Sequence, residues 1–529
     1  MDSRDKVLDK YSSKIYKNRK EHVIEIEAGE PQVIAADTRA IPGIMTNRGC
    51  CYAGCKGVVI GPLKDVVNIV HGPIGCAYYT WGTRRNKAKS DESTKDFTQY
   101  SFSTDMQETD IVFGGEKKLR QAIKEAVEIF NPECIMISST CPVGLIGDDI
   151  HAVAAEAEKM YGIKVLAFSC EGYKGVSQSG GHHIANNGLM KYIIGTGDAE
   201  PQKYSINLLG EYNIGGDGWE VERILKRIGY NVVSVMTGDG SYADLKNAHT
   251  ADLNLVQCHR SINYIAEMMK TKYGMDWIKV NFIGLESIKS SLMDIATYFG
   301  DPALLARTEE VIAEELDEIE EGMAYYKSKL DGKKAAVYVG GSRTHHYINL
   351  LKYLGVDVIL AGYEFGHRDD YEGRDVIPSI KIDADSKNIE SITVTKDEAN
   401  YKTFHTPEKI EELKAAGVPI EKYDGLWNDI AEGAIITDDF NHFETEEFLK
   451  ELKPDIFFSG IKDKFIVQKS GVPSRQLHSY DYSGPYAGFR GALNFAKDIT
   501  MATYTPVWNM VQAPWKSEPT LVGSLGGME

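Results

Sequence analysis

At 529 residues, with 43% hydrophobic and 26% charged, the chain is too long for one hydrophobic core and is expected to form two to four domains. A formal net charge of −18 argues against nucleic acid as a main partner, because a phosphate backbone needs a basic face. The N-terminal stretch MDSRDKVLDKYSSKIYKNRKEH lacks an apolar export core and no later run is long enough to span a bilayer, so no membrane contact and a cytoplasmic location are expected.

Taken in chain order, residues 1–34 read as a polar N-terminal segment. From there one unit recurs: a short β-branched apolar run, a Gly-rich or polar loop, then an amphipathic helix. The runs at 133–138 and 164–168 precede SSTCPVG and SCEGYKGVSQSGGHH and fall in a first domain, 35–200. Those at 205–209 and 253–256 precede GEYNIGGD and QCHRS, in a second domain, 201–332. Those at 335–339 and 455–458 precede GGSR and SGIKDK, in a third, 333–505. A tail follows at 506–529. The alternation predicts an α/β fold: three Rossmann-like domains with parallel sheets around a site between domains. Residues 379–429 are polar and carry no catalytic-looking cluster, so they read as an insertion of mixed strand and helix on the third domain's surface. No Walker-type loop and no full GxGxxG is present, so nucleotide hydrolysis by this chain is not expected.

Ligands of open α/β sheets bind beyond the carboxyl ends of the strands. The unusual residues concentrate there: Cys141, Gln178 and His182, Cys258, Arg343, Glu364 after a strand ending at Ala361, Lys462 and His478. Together they point to one large site between domains. Eight cysteines in a cytoplasmic chain are not expected as disulfides; they are buried small hydrophobes or ligands of metal and iron–sulfur centres. Cys50, Cys51, Cys55, Cys76 and Cys141 lie in Gly- and Pro-rich loops, where free backbone N–H groups can face sulfides. For each of these, burial in a turn is an equally good reading. Cys134 and Cys170, inside and at the end of strands, read as structural. Cys51 and Cys55 lack the third cysteine of a radical-SAM motif. There is no HExxH, and His182–His183 and His345–His346 alone are more often structural than ligating. Arg84, Arg85, Arg260, Arg343 and Lys462 are ordinarily surface charges, but in loops at strand ends they could hold an anion.

The motifs RGCCYAGCKGVV, HGPIGC, STDMQETDIVFGG, CPVGLIGDDI, CEGYKGVSQSGGHHIAN, GEYNIGGD, LVQCHRSINYI, GGSR, GYEFGHRDDY, SGIKDKFI and LHSYDYSGPYAGF follow one another in order. From about residue 35 to 515 the chain resembles the α subunits of molybdenum–iron nitrogenase, and the insertion resembles that of the clostridial type. The resemblance implies that Cys50, Cys76 and Cys141 are the α-subunit thiolates of an iron–sulfur P-cluster shared with a homologous β subunit in an α2β2 heterotetramer. It implies Cys258 and His478 as the ligands of the iron–molybdenum cofactor, with Gln178, Lys462 and Gln476 around its homocitrate. Gln476 departs from the Glu common there. Val58, Arg84, His182, Tyr212, Arg260, Ser261, Arg343, Glu364 and Phe365 match the cofactor's surroundings, with His182 a proton donor and Val58 a gate. Phe113 matches the docking surface of the iron protein, the ATP-dependent reductase. The implied reaction is ATP-driven reduction of dinitrogen to ammonia with hydrogen evolved.

Four other readings compete. A non-catalytic cofactor-assembly scaffold would be expected to lack His478 or part of the thiolate set. A vanadium or iron-only nitrogenase fits Arg84 and GGSR less well. A tetrapyrrole reductase lacks the Cys258–His478 pair. A plain nucleotide-binding protein would need a phosphate loop.

Overall fold

The computed structural model describes residues 3–27, 33–36, 49–82, 86–89, 95–175, 177–373, 389, 392–460 and 463–511. Its strands are β1 (Val23–Glu25), β2 (Val66–His71), β3 (Phe102–Ser103), β4 (Cys134–Ser139), β5 (Lys164–Phe168), β6 (Ser205–Glu211), β7 (Asn231–Thr237), β8 (Leu253–Val256), β9 (Trp277–Lys279), β10 (Lys334–Gly340), β11 (Asp357–Glu364), β12 (Ile435–Asp438), β13 (Ile456–Ser459) and β14 (Ser474–Gln476). They form three sheets, ordered β3-β2-β4-β5, β7-β6-β8-β9 and β1-β12-β11-β10-β13-β14. Every pairing is parallel except β1 with β12.

The sequences explain this. β2 (VVNIVH), β4 (CIMISS) and β8 (LNLV) are buried at every position. Apolar runs without polar alternation belong to parallel strands covered by helices on both faces. The apolar core runs continuously through the second and third sheets and one face of the first; separate clusters cover the other faces of the first and third. The helix Pro302–Leu330 joins the second sheet to the third. It starts where Asp301 accepts the Ala303 amide at 2.9 Å and Pro302 fills the first turn.

The order of each sheet sets where a ligand can lie. In the first, the chain moves from β2 outward to β3, then back past β2 to β4. β6 and β8 bracket the same reversal in the second sheet, β10 and β13 in the third. At such a switch point the flanking loops part and leave a crevice beyond the strand ends.

Two expectations are corrected. Glu364 does not follow its strand; β11 continues three residues past Ala361, and Glu364 is its last residue. The insertion is not wholly a surface addition. Residues 374–388, 390 and 391 lie outside the described part. The helix Pro407–Ala415 faces solvent along much of its length, but Tyr423 and Leu426 are buried. Ile420 bridges Ile278 in antiparallel fashion, covering the edge that β9 would leave open.

Candidate functional site

Two groups of residues gather at the switch points. At the first sheet's reversal, Cys76 follows β2 and Cys141 follows β4, opening the helix Cys141–Ile146. Cys50 joins them. A Cβ on Gly172 would lie 3.0 Å from the Cys141 Sγ and 3.3 Å from the Cys50 Sγ, so both thiols rest against a residue that has no side chain. Burial first, then the neighbouring Cys50 and Cys141, raises the Cys76 thiol above its ordinary value, which puts all three in one neighbourhood. Cys50 is exposed, and Cys76 and Cys141 are partly so. Beside them the helix Ile74–Gly82 presents Ile74, Tyr78, Tyr79 and Trp81 to solvent. Three thiols thus gather beside an exposed apolar surface, the kind of patch that marks an interaction site.

Cys51, Cys55, Cys134 and Cys170 are all fully buried. Cys51 lies near Gly180, where a Cβ would be 3.6 Å from its Sγ, and burial pushes the Cys134 and Cys170 thiols up.

The second group lies where the three domains meet. Val58, Gln178, His182, Tyr212, Cys258, Arg260, Ser261, Arg343, Phe365 and His478 line one small cavity of about 40 Å³. Ile214, inside GEYNIGGD, and Gly340 and Gly341, the glycines of GGSR, complete its wall, though none was singled out as a site residue from the sequence. The helix Ser179–Tyr192 starts earlier than its Gly-rich sequence suggested, so Gln178 immediately precedes it and His182 lies in its first turn. His182 is 1% exposed and meets Phe365 edge-on, the ring centroids 6.1 Å apart. Cys258 immediately precedes the helix His259–Tyr273, two residues past the end of β8. Its Sγ receives the Ser261 hydroxyl at 3.2 Å, and Ser261 receives the Tyr212 hydroxyl at 2.6 Å. The Gly340 amide donates to a ring nitrogen of His478 at 3.1 Å, and a Cβ there would lie 2.7 Å from Phe365 and 2.8 Å from His478. Only glycine leaves both rings their places.

Two buried cations face this cavity. Arg260 pairs with Asp370 at 2.8 Å. Burial alone would raise the Asp370 carboxyl, but Arg260 and then His259 outweigh it and hold it well below the usual carboxylate range. Arg343 donates to the Tyr480 hydroxyl and lies 3.5 Å from Asp217. Burial pulls its guanidinium down, yet Tyr480, Tyr347, Glu211 and Asp217 hold it well above its ordinary value. Glu364 and Gln476 are buried nearby without lining the cavity. Glu364 lies against Gly460, and Gln476 receives the Ser479 hydroxyl. Arg84 and Lys462 lie outside the described residues. Phe113 is 86% exposed at the end of the helix Glu108–Phe113, remote from the cavity in sequence and fold.

A thiol and an imidazole in a largely buried cavity with flanking guanidinium groups form a donor set for an anionic metal–sulfur group. Such a set, among three α/β sheets, is one a redox metalloprotein could use. The family model of the nitrogenase component 1 type oxidoreductases matches residues 50–504, and the chain belongs to this family. Its curated relatives include the nitrogenase molybdenum-iron protein alpha chain of Clostridium pasteurianum, 60% identical over 515 residues, 97% of this chain and 96% of that one. The alpha chain of Methanosarcina barkeri is 56% identical over the same shares. Among solved structures, nitrogenase Cp1 at pH 6.5 superposes with a TM-score of 0.94 at 60% identity, covering 97% of this chain and all of that one. Within the family, then, this is a chain of the molybdenum–iron alpha type, an oxidoreductase subunit. Among the described residues, no helix is long and apolar enough to cross a membrane.

Proposed function

We propose that this chain carries the catalytic cofactor of a molybdenum–iron nitrogenase and reduces dinitrogen to ammonia, with hydrogen evolved and ATP hydrolysed on a separate iron protein. The carrying observation is the meeting of Cys258 and His478 in one cavity rimmed by Arg260, Arg343 and His182. When bound, the two metal groups supply the redox chemistry: electron relay at the P-cluster and substrate reduction at the iron–molybdenum cofactor.

The chain's own residues have the following work. Cys258 and His478 hold the cofactor by thiolate and imidazole. Two protein bonds leave a large group free to rock, so shape and neighbouring donors must fix it. Arg260 and Arg343 balance its negative charge, and Ser261, itself held by Tyr212, orients the Cys258 sulfur. Gln178, Lys462 and Gln476 are assigned to homocitrate, and Arg84, Glu364 and Phe365 to the surrounding shell. Val58 narrows access from one side. His182 keeps a ring proton beside the cavity and delivers it to bound substrate. Cys50, Cys76 and Cys141 hold half of the P-cluster, and the homologous β subunit of an α2β2 assembly supplies the rest. The iron protein docks over Phe113.

Metal analysis and product assays on one preparation test this. Cys258→Ala and His478→Asn should each lose most of the molybdenum while the iron held at Cys50, Cys76 and Cys141 stays. His182→Asn should keep molybdenum and hydrogen evolution but lose ammonia formation by roughly 100-fold or more, the usual worth of a general acid. Native molybdenum in both ligand variants would refute the ligands. Equal loss of ammonia and hydrogen in His182→Asn would refute the proton role.

A further inference from the structure

The end of the inserted segment reaches the turn that carries Cys258 from both sides. Ile420 extends the second sheet by bridging Ile278, and the Glu421 amide donates to the Trp277 carbonyl at 3.1 Å. This registers Tyr423 and Asp424, two and three residues further on. Tyr423 stacks on Trp277 and on His259, with ring centroids 4.6 Å apart in each case and interplanar angles of 21° and 25°. His259 follows Cys258 directly. Asp424 lies 3.5 Å from the Lys279 ammonium and 3.1 Å from His345. Lys279 is buried and donates to the Gln257 carbonyl at 3.2 Å; Gln257 precedes Cys258 directly. One inserted residue thus bears on the position after Cys258, and the next, through a buried ammonium, on the position before it.

We propose that Tyr423 and Asp424 form a clasp by which the insertion positions the Gln257–Arg260 turn, so that the segment is a positioning element of the site. The physical reason is the exposure of the turn to two errors. A buried ammonium needs a carboxylate nearby, and without Asp424 Lys279 would lose that partner and the geometry of its bond to Gln257. The His259 ring, which reaches Asp370 at 3.0 Å and the Ser342 hydroxyl at 2.9 Å, would lose the face that fixes its plane. Both errors act on the backbone that aims the Cys258 sulfur.

The same residues admit a second chemistry. His345, His346 and Asp424 have ligand atoms close enough to share a divalent cation. The Lys279 Nζ, however, lies 2.8 Å from the His346 Nε2, so a cation already stands where a metal ion would bind. The cluster is an ammonium-centred joint between the second sheet, the helix Arg343–Tyr353 and the insertion.

The inference rests on the assignment of Cys258 above only for its consequence, and the test separates the two. Hydrogen exchange is measured on the purified complex for peptides covering 255–262 and, as a control, β2 and β4. Asp424→Asn and Tyr423→Leu should speed exchange of the 255–262 amides by ~10-fold or more while β2 and β4 are unchanged, and Tyr423→Phe, which keeps the stacked ring, should match the wild type. Unchanged exchange at 255–262 in both disruptive variants overturns the clasp, as does Tyr423→Phe behaving like Tyr423→Leu. Should Tyr423→Leu not fold, Asp424→Asn decides alone. Cobalt(II) added to the wild type should give no ligand-field absorption that His345→Ala abolishes; such a band would overturn the ammonium-centred reading. Loss of molybdenum in Cys258→Ala, measured separately, tests the cofactor assignment and not the clasp.

Discussion

Glu211 ends β6 with 1% of its surface exposed, one residue before Tyr212. Burial, reinforced by Asp217 and opposed by Arg343, pushes its carboxyl from 4.5 up to about 7. The folded chain therefore binds this proton more tightly than the unfolded one. The stability it contributes is complete below the unfolded value and is lost as the pH rises toward 7. In the cofactor-free chain, Glu211→Gln removes this titration, so its thermal midpoint should fall less than the wild type's between about pH 5 and about pH 8. Superimposable pH profiles would show that Glu211 is already ionised in the fold. Residues of this kind also mark how far a sequence can be read. Cys258, His478 and Arg343 stood out because thiol, imidazole and guanidinium at strand ends are unusual. Asp370, inside GHRDDY, was not singled out, yet it is buried against Arg260. Only the three-dimensional partner reveals this, and a charge in a polar string gives no sign of it.

At the scale of elements, the contact between the π-helical segment Ala53–Ile60 and the helix Ser179–Tyr192 determines where Val58, Gln178 and His182 stand. It is closed by two glycines. A Cβ on Gly54 would lie 1.8 Å from the Gln178 carbonyl oxygen, and one on Gly181 would lie 1.8 Å from that of Cys51. Backbone cannot rotate away as a side chain can. Gly181→Ala should therefore cost about 1–3 kcal/mol or more as an overpacked contact. It should also reduce molybdenum retention, since Gln178 and His182 move with the helix. Gly82→Ala, whose Cβ would meet nothing within 4 Å, is the control and should stay within about 0.5 kcal/mol of the wild type in denaturant unfolding. An unshifted Gly181→Ala midpoint would mean that the helices separate at little cost. The six apolar runs became β4, β5, β6, β8, β10 and β13, whereas β2 and β7, six and seven residues long, were not singled out. The short edge strands β1, β3, β9 and β14 have two or three residues each, too few to show a period. The buried end of the insertion was hidden for a related reason: its few apolar residues gain their cover from β9 and His259, far away in sequence.

For the whole molecule, three repetitions of one sheet plan bring three switch points to bear on two sites. The first sheet supplies the thiols near the surface, and the second and third close with it around the interior cavity. On the function proposed above, electrons would come from a separate protein and pass Cys50, Cys76 and Cys141 on the way inward. The surface offers a place for that source. Phe113 is 86% exposed, Val112 beside it 67%, and Leu145 on the adjoining helix Cys141–Ile146 77%. Large apolar side chains grouped in this way are a mark of an interaction surface, and an aromatic at its centre typically carries a large share of the binding. Phe113→Asp places a charge there without touching the core, so the fold and the content of molybdenum and iron should be unchanged. Affinity for the iron protein should fall by about tenfold or more, as expected for removing an aromatic anchor from an interface. Titrating the iron protein against a fixed amount of variant and following ammonia would reveal this as a shifted half-saturation point with the same plateau. A lowered plateau with an unshifted midpoint would instead put the defect inside the chain, and an unchanged curve would move the docking surface away from Phe113.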